Sequence, residues 1–202
     1  MRVLAIGAHP DDVELGCGGA LLRHAARGDE VHLLVMTVGE LGDGGRAVRR
    51  AEQERAVERL GAARLHWGRF PDGAVPPDRR AISLVEQVLA EVRPELVYGH
   101  GPWDTHQDHR ATSAAVLSCS RRVPKVLLYE TLTTTRAFSP THYVDVSAVL
   151  EAKLDLLGCH ASQVEAGRVR TAAVRARAAV RGDEAGVAAA EAFQAERYVM
   201  TL

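Results

Sequence analysis

Short apolar runs alternate with longer amphipathic segments along most of this sequence. The apolar runs have the length of buried strands, and the segments between them repeat their apolar residues with helical spacing. This order predicts an α/β fold, a single-domain, doubly wound and mostly parallel sheet of the Rossmann-like kind. Gly28, Gly61 and Pro94 stand where helices are expected to stop. We predict strands over residues 3–8, 31–38, 65–70, 96–99, 125–129 and 143–146, and helices over residues 15–27, 47–60, 81–92 and 110–118.

Length and charge limit the class of protein. At 202 residues, 47% of them hydrophobic, the chain is long enough for one well-buried core, and we expect a single domain over residues 1–202. A net charge of −1 gives no reason to expect nucleic acid or an acidic membrane as a partner. We find no apolar stretch near the ~20 residues of a membrane span and no signal peptide. The cysteines Cys17, Cys119 and Cys159 are widely spaced and fit reduced thiols, so we expect a cytoplasmic protein.

The first predicted strand runs into an acidic turn. His9, Asp11, Asp12 and Glu14 lie together at the carboxyl end of this strand, where parallel sheets bind their ligands. A phosphate-binding loop would place glycine at the helix start, whereas these aspartates would repel a phosphate. We therefore interpret the turn as a cation site. One aspartate alone would also serve as an ordinary helix N-cap.

A second polar cluster follows the fourth predicted strand. Residues 100–110 hold three histidines and two aspartates, and they too lie past the carboxyl end of a strand. His106 and His109 are three residues apart, so they share one face of a helix start. A catalytic zinc ion takes three protein ligands and keeps a fourth position for water. His9, Asp12 and one histidine of the second cluster would make that set.

Other interpretations of the two clusters stay open. Histidines near a helix start are often solvent-exposed and bind nothing. Two histidines and one carboxylate also fit a non-haem iron oxygenase, so Fe²⁺ is the alternative to Zn²⁺. A closed site with four protein ligands, the fourth being His100 or His106, would instead indicate a non-catalytic metal- and sugar-binding protein.

The motifs in the two clusters resemble those of one known family. The runs are Ala8-His9-Pro10-Asp11-Asp12 with Glu14, and His106-Gln107-Asp108-His109. They resemble the PIG-L/LmbE family of zinc-dependent N-acetylglucosamine (GlcNAc) deacetylases, and the first run is similar to that of the bacillithiol-biosynthesis deacetylases. Gln107 stands where proline is usual. Further segments that fit the family are residues 37–42, Arg49 with Glu52, residues 71–73, Lys153, residues 160–163 and residues 190–193.

The resemblance implies an LmbE-type fold and a role for each motif residue. It assigns the zinc ligands to His9, Asp12 and His109. It makes Asp11 the general base, which takes a proton from water and passes it to the leaving amine. It makes His106 the group that stabilises the oxyanion, and Asp108 the residue that orients His106 by a hydrogen bond. Some family members use a tyrosine two residues before this histidine, a place that Asp104 takes here.

The resemblance also implies substrate contacts and a substrate. Glu40, Arg49 and Asp72 are the predicted contacts, although Arg49 would also reach Glu52 one helical turn away. The implied reaction is removal of acetate from GlcNAc-malate in bacillithiol biosynthesis, with free GlcNAc, diacetylchitobiose or a thiol conjugate as alternatives. Malate carboxylates would favour guanidinium partners. The candidates by position are Arg46, Arg50, Arg110 and Arg136.

Three further expectations concern the rest of the chain. Relatives often form trimers or hexamers, so we expect a homo-oligomer. Residues 39–46 are rich in glycine and acid, and we expect either a flexible connection or a lid beside the first loop. Residues 164–195 are rich in alanine and arginine, which favours an outer helix or subunit contact, or an excursion that ends in a terminal helix packed against the domain.

Overall fold

The computed structural model describes residues 1–200, which form one seven-stranded sheet with helices on both faces. The strands are β1 (Arg2–Gly7), β2 (Glu30–Thr37), β3 (Arg64–Phe70), β4 (Leu96–His100), β5 (Lys125–Tyr129), β6 (His142–Asp145) and β7 (Ala190–Tyr198). The helices are α1 (Asp12–Ala26), α2 (Gly45–Leu60), α3 (Arg79–Val92), α4 (Gln107–Cys119), α5 (Leu150–Leu157), α6 (Ala161–Glu165) and α7 (Thr171–Ala185). All six predicted strands and all four predicted helices are present, with ends that differ by a few residues.

The strand order explains why two loops distant in sequence meet. The order across the sheet is β3-β2-β1-β4-β5-β7-β6, and β1 to β5 are parallel. The chain therefore leaves β1 toward β2 on one side, whereas β4 pairs with β1 on the other side. Such a switch of direction opens a crevice at the carboxyl ends of the two strands, and ligands bind there. The predicted doubly wound, mostly parallel sheet is confirmed.

The period of two along β1 divides its side chains between two cores. Val3 and Ala5 face α1, α2 and α5, whereas Leu4 and Ile6 face α3 and α4. All four side chains are fully buried, as expected for a central parallel strand covered on both faces. Within residues 1–200, no helix has both the length and the hydropathy that crossing a bilayer requires.

The predicted terminal helix is wrong. Within residues 164–195, α7 confirms the outer helix, but the chain then continues as β7, which pairs antiparallel with both β5 and β6. Phe193 is fully buried and its ring lies 5.1 Å from that of Tyr98. The sheet supplies two neighbouring strands and a core contact, and these outweigh the helix propensity of an alanine-rich sequence.

Candidate active site

The two predicted clusters meet at the carboxyl edge of the sheet. Asp12 begins α1 directly after the turn that follows β1, and His106 caps α4 after β4, where its side chain accepts the N–H of Asp108. Together with the loop after β2, they surround an open cleft. Its lining includes His9, Asp11, Asp12, Leu41, Arg49, Asp72, His106, His109, Leu132, Gln163 and Arg168.

The three predicted metal ligands converge on one point. Nδ1 of His9 lies 3.4 Å from Oδ2 of Asp12, and Nε2 of His109 lies 3.3 Å from Oδ1 of Asp12. The two ring nitrogens are 3.3 Å apart. Donor atoms about 2.0–2.1 Å from a tetrahedral zinc ion lie roughly 3.3–3.4 Å from one another. The spacing and the donor types of these three residues therefore fit a zinc ion.

Carboxylates hold the far side of each histidine ring. Nε2 of His9 is 3.0 Å from Asp108 and 3.1 Å from Asp72, and Nδ1 of His109 is 3.1 Å from Asp104. A carboxylate on the second nitrogen fixes the orientation and tautomer of a ligating imidazole and makes it more basic. The nitrogens that point at each other are therefore the ones left to bind a cation.

The electrostatic environment of these rings favours positive charge. Burial acts to lower the pKa of His9, but hydrogen bonds to Asp108, Asp12 and Asp72 outweigh it and raise the pKa to about 12. Burial is likewise outweighed at His109, where Asp12 and Asp104 raise the pKa to about 9. A site that holds protons this strongly also attracts a divalent cation, which binds by displacing them.

Asp11 lies in the same cleft as the three predicted ligands, but it pairs with an arginine instead of a histidine. Its backbone is in the left-handed region, with φ at 92°, a strained conformation that non-glycine residues adopt mainly at functional sites. Its Oδ2 accepts from both Nη atoms of Arg49 at 3.3 Å. Burial raises the pKa of Asp11 to about 6, against the lowering effect of Arg49. A carboxylate with a pKa near neutrality is suited to taking and returning a proton.

Asp108 does form a hydrogen bond with His106, but it does so through its backbone N–H and not through its carboxylate. The Asp108 carboxylate binds Nε2 of His9 and accepts the backbone N–H groups of Gly73 and Val75. His106 is oriented instead by the backbone, because its Nδ1 accepts the N–H of Asp108 at 3.2 Å. With Nδ1 accepting, the proton of the neutral ring is on Nε2. The His106 side chain therefore lines the cleft with a donor available.

The predicted substrate contacts have different surroundings. Asp72 lines the cleft but already binds His9 and the backbone N–H of Leu41. Arg49 is buried and donates to Asp11 and to the carbonyl of Pro10, and its distance to Glu52 is 3.9 Å. The carboxylate of Glu40 pairs with Arg46 and is not part of the cleft lining within residues 1–200.

The four arginines predicted to bind an aglycone are not part of the cleft lining either, within the described residues. Arg46 pairs with Glu40, Arg50 pairs with Glu54, and Arg110 donates to two backbone carbonyls. Arg136 is exposed. The lining arginines are Arg49 and Arg168, the latter paired with Asp43.

Of residues 39–46, the last two begin α2, and the loop before them is tied to its neighbours at several points. Leu41 donates its backbone N–H to Asp72, and the carbonyl of Asp43 accepts from the side chain of Gln163 at 2.9 Å. Asp43 also pairs with Arg168 at 3.0 Å. These bonds join the loop to both the cleft floor and the α6 region.

Sequence reasoning missed how several residues support the site. Asp104 was noted only as a replacement for tyrosine, yet it holds His109. His100 is buried beneath the site, with Nε2 3.2 Å from Asp12 and 3.1 Å from the backbone nitrogen of Ala8. Gln53 accepts the N–H of Asp11 and donates to Glu14. The sequence had suggested His100 only as a possible fourth metal ligand after a strand.

Comparisons with known proteins agree with this geometry. The family model described as GlcNAc-PI de-N-acetylase, PIG-L, matches residues 4–120. The uncharacterized deacetylase YaiS of Escherichia coli is 36% identical over 71% of this chain and 81% of its own. The diacetylchitobiose deacetylase of Thermococcus kodakarensis is 32% identical over 80% of this chain and 70% of its own. The structure of the diacetylchitobiose deacetylase of Pyrococcus horikoshii superposes with a TM-score of 0.86 at 26% identity, over 96% of this chain and 83% of that one.

These matches cover both polar clusters and the sheet that brings them together. They argue against the oxygenase and the non-catalytic interpretations, because the similar proteins are hydrolytic deacetylases. The chain belongs to the PIG-L family and is an N-deacetylase.

Proposed function

We propose that this enzyme removes the acetyl group from an N-acetylglucosaminyl compound, with zinc held by His9, Asp12 and His109. The observation that carries the proposal is that Nδ1 of His9 and Nε2 of His109 lie 3.3 Å apart, and each lies 3.3–3.4 Å from one oxygen of the Asp12 carboxylate. Three protein ligands at an open cleft leave a position for water, as catalytic zinc sites do and closed structural sites do not.

The residues around this point divide the hydrolytic chemistry between them. When bound, zinc would supply a Lewis acid and lower the pKa of a water molecule from about 15.7 to about 7. Asp11 takes the proton from the attacking water and later delivers it to the leaving amine, as its pKa of about 6 permits. Arg49 holds the Asp11 carboxylate in place through both Nη atoms.

His106 is proposed to stabilise the negative charge that develops on the acetyl oxygen. Burial lowers the pKa of His106, and His9 and His109 lower it further. The ring is therefore neutral at physiological pH, and its Nε2–H is the available donor because Nδ1 accepts from Asp108. Removing one such donor typically costs about a hundredfold or more in turnover.

The sugar is better supported than the group attached to it. Two of the relatives named above are diacetylchitobiose deacetylases, and diacetylchitobiose contains GlcNAc units. GlcNAc-malate is the aglycone-bearing substrate that the first motif favours. Arg168 is the lining arginine placed to bind its carboxylates, because Arg49 already donates to Asp11 and Pro10. Free GlcNAc and thiol conjugates are further candidates.

Assembly into a trimer or hexamer stays a prediction that light scattering would test.

Acetate release from a panel of substrates tests the proposal. Purified enzyme with one equivalent of zinc is incubated with GlcNAc-malate, diacetylchitobiose and free GlcNAc, and acetate is measured for each. We expect release from at least one of them, loss of release after chelation, and its return when zinc or Fe²⁺ is added. No acetate from any N-acetylated sugar, with zinc bound at one ion per chain, would overturn the proposal.

A further inference from the structure

Helix α1, which carries Asp12, is not continuous. Cys17 has φ at −143° and ψ at 16°, so the helical hydrogen-bond ladder is interrupted there. The short first segment begins at Asp12 and includes Leu15, which lines the cleft. A break of this kind leaves carbonyls without partners before it and N–H groups without partners after it.

A buried lysine–glutamate pair from distant elements satisfies both sides of the break. Lys153 of α5 donates to the carbonyl of Leu15 at 2.8 Å, and Glu191 of β7 accepts the N–H groups of Gly19 and Ala20 at 2.7 Å each. Lys153 and Glu191 bind each other at 2.6 Å. The pair therefore supplies hydrogen-bond partners for backbone groups that the interrupted helix leaves without them.

The charges of Lys153 and Glu191 match the backbone groups at the two sides of the break. A carboxylate is favoured at the start of a helical segment, where the backbone N–H groups point, and an ammonium group is favoured at its end. Lys153 and Glu191 are 3% and 4% exposed. Removing one member leaves the other charge buried without its partner, which is far more costly than losing an exposed pair.

We infer that Lys153 and Glu191 are positioning residues for the metal site. They fix the angle at which the first segment of α1 leaves the break, and that segment presents Asp12 to His9 and His109. The inference rests on the proposed zinc site. It predicts that two residues outside the lining of the active-site cleft, within residues 1–200, affect zinc binding and turnover.

Two variants disturb the pair in different ways, and each has a matched control. Glu191→Gln removes the charge and one of the two acceptor positions, and Glu151→Gln is its control because Glu151 lies on the same helix as Lys153 and forms an exposed pair with Arg175. Gly19→Ala keeps both charges but places a methyl group 3.0 Å from Oε1 of Glu191 and 2.7 Å from Val146. Gly18→Ala is its control, since the new methyl group would meet its nearest neighbour at 3.5 Å.

The measurements are zinc affinity by competition with a chromophoric chelator, kcat for acetate release, and the thermal midpoint of the metal-free protein. We expect Glu191→Gln and Gly19→Ala to weaken zinc binding about tenfold, the lower end of the effect of outer partners of metal ligands, and to lower kcat. Both controls should bind zinc within about twofold of the wild type. If Glu191→Gln does not fold, Gly19→Ala supplies the same test.

A lower thermal midpoint with unchanged zinc affinity and kcat would overturn the inference, because the pair would then only stabilise the fold. An equal loss of zinc affinity in Gly18→Ala would also overturn it. The zinc measurement needs no substrate, so a wild-type protein that binds zinc but releases no acetate would contradict the proposed function and leave this test intact.

Discussion

Histidine–aspartate pairs occur at both edges of the sheet, and they differ in what the second ring nitrogen meets. At the amino edge, Nδ1 of His24 is 2.7 Å from Asp29, and Nε2 is 3.1 Å from the hydroxyl of Tyr98. At the carboxyl edge, Nδ1 of His109 is 3.1 Å from Asp104, but Nε2 faces a ring nitrogen of His9 at 3.3 Å. The pair is common to both sites, so they differ in the other ring nitrogen, which meets a hydroxyl at His24 but two proposed metal-ligand side chains, His9 and Asp12, at His109.

The charge preference of the rings follows the same division. Burial lowers the pKa of His24, and the single carboxylate of Asp29 does not reverse the shift. Several carboxylates surround His9 and raise its pKa to about 12. The amino edge therefore favours a neutral His24 ring with both nitrogens hydrogen-bonded. The carboxyl edge favours positive charge between its histidines and carboxylates.

The largest expected effect of a substitution is at Asp11, the acid of the carboxyl edge that pairs with arginine instead of histidine. Asp11→Asn should lower kcat for acetate release by about 10²- to 10⁴-fold, the usual contribution of a general base. Zinc binding should stay within a few-fold of the wild type, because the proposed ligand atoms belong to His9, Asp12 and His109. The measurements are metal content after dialysis and steady-state turnover.

The matched control for this variant is Asp43→Asn, which also removes a carboxylate paired with an arginine near the cleft. It should keep most of its turnover. A fully active Asp11→Asn variant would show that another group takes the proton, and loss of zinc from that variant would make Asp11 part of the metal site.

The next largest effect should separate the two edges directly. Asp104→Asn and Asp108→Asn each remove a carboxylate from the far nitrogen of a proposed ligand, and each should weaken zinc affinity about 10- to 100-fold. Asp29→Asn makes the same chemical change at His24 and should leave zinc affinity unchanged. Chelator competition measures all three variants. Equal losses in the three would show that the substitutions act through general stability and not through the ligands.

The two clusters that hold the proposed ligands were predictable because each cluster is local in sequence, and the family resemblance then selected His109 in the second. His9 and Asp12 follow the first apolar run, and His109 follows the fourth, so strand spacing and the chemistry of zinc were enough to group the two clusters. The parallel strands were predictable for a related reason, since each is a continuous apolar run bounded by turn residues. Local patterns thus predicted the floor of the site and the sheet beneath it.

The supporting contacts were not predictable, because they join residues far apart in sequence. Glu191 binds the backbone of Gly19 across 172 positions, and no local pattern indicates that meeting. Asp108 was assigned to His106, its near neighbour, which its backbone N–H does contact, but the contact of its carboxylate with His9 was not predicted. The strand β7 was missed for the same reason, since its propensity is helical and its pairing partners precede it by many residues.

A smaller effect is expected at the amino edge. Tyr98→Phe removes the hydroxyl that fills Nε2 of His24 and leaves this buried nitrogen without its partner. The free energy of unfolding should fall by about 1 kcal/mol, the usual net contribution of one such hydrogen bond. Zinc affinity should not change. Urea unfolding of the metal-free protein gives the first quantity, and chelator competition gives the second. Weaker zinc binding in this variant would mean that the two edges are coupled through β4.

The smallest effect should come from Glu40, which sequence reasoning placed at the substrate. Glu40→Gln is expected to leave kcat and KM within about twofold of the wild type, because its carboxylate pairs with the exposed Arg46 and such pairs contribute about 0–1 kcal/mol. Asp72→Asn is the contrasting variant. Asp72 lies 3.1 Å from Nε2 of His9, so this substitution should weaken zinc binding. Steady-state kinetics with the best substrate of the panel compare them. A large rise in KM for Glu40→Gln would mean that the loop before α2 turns this carboxylate into the cleft when substrate binds. The substrate site at the carboxyl edge would then include residues that do not line the cleft here.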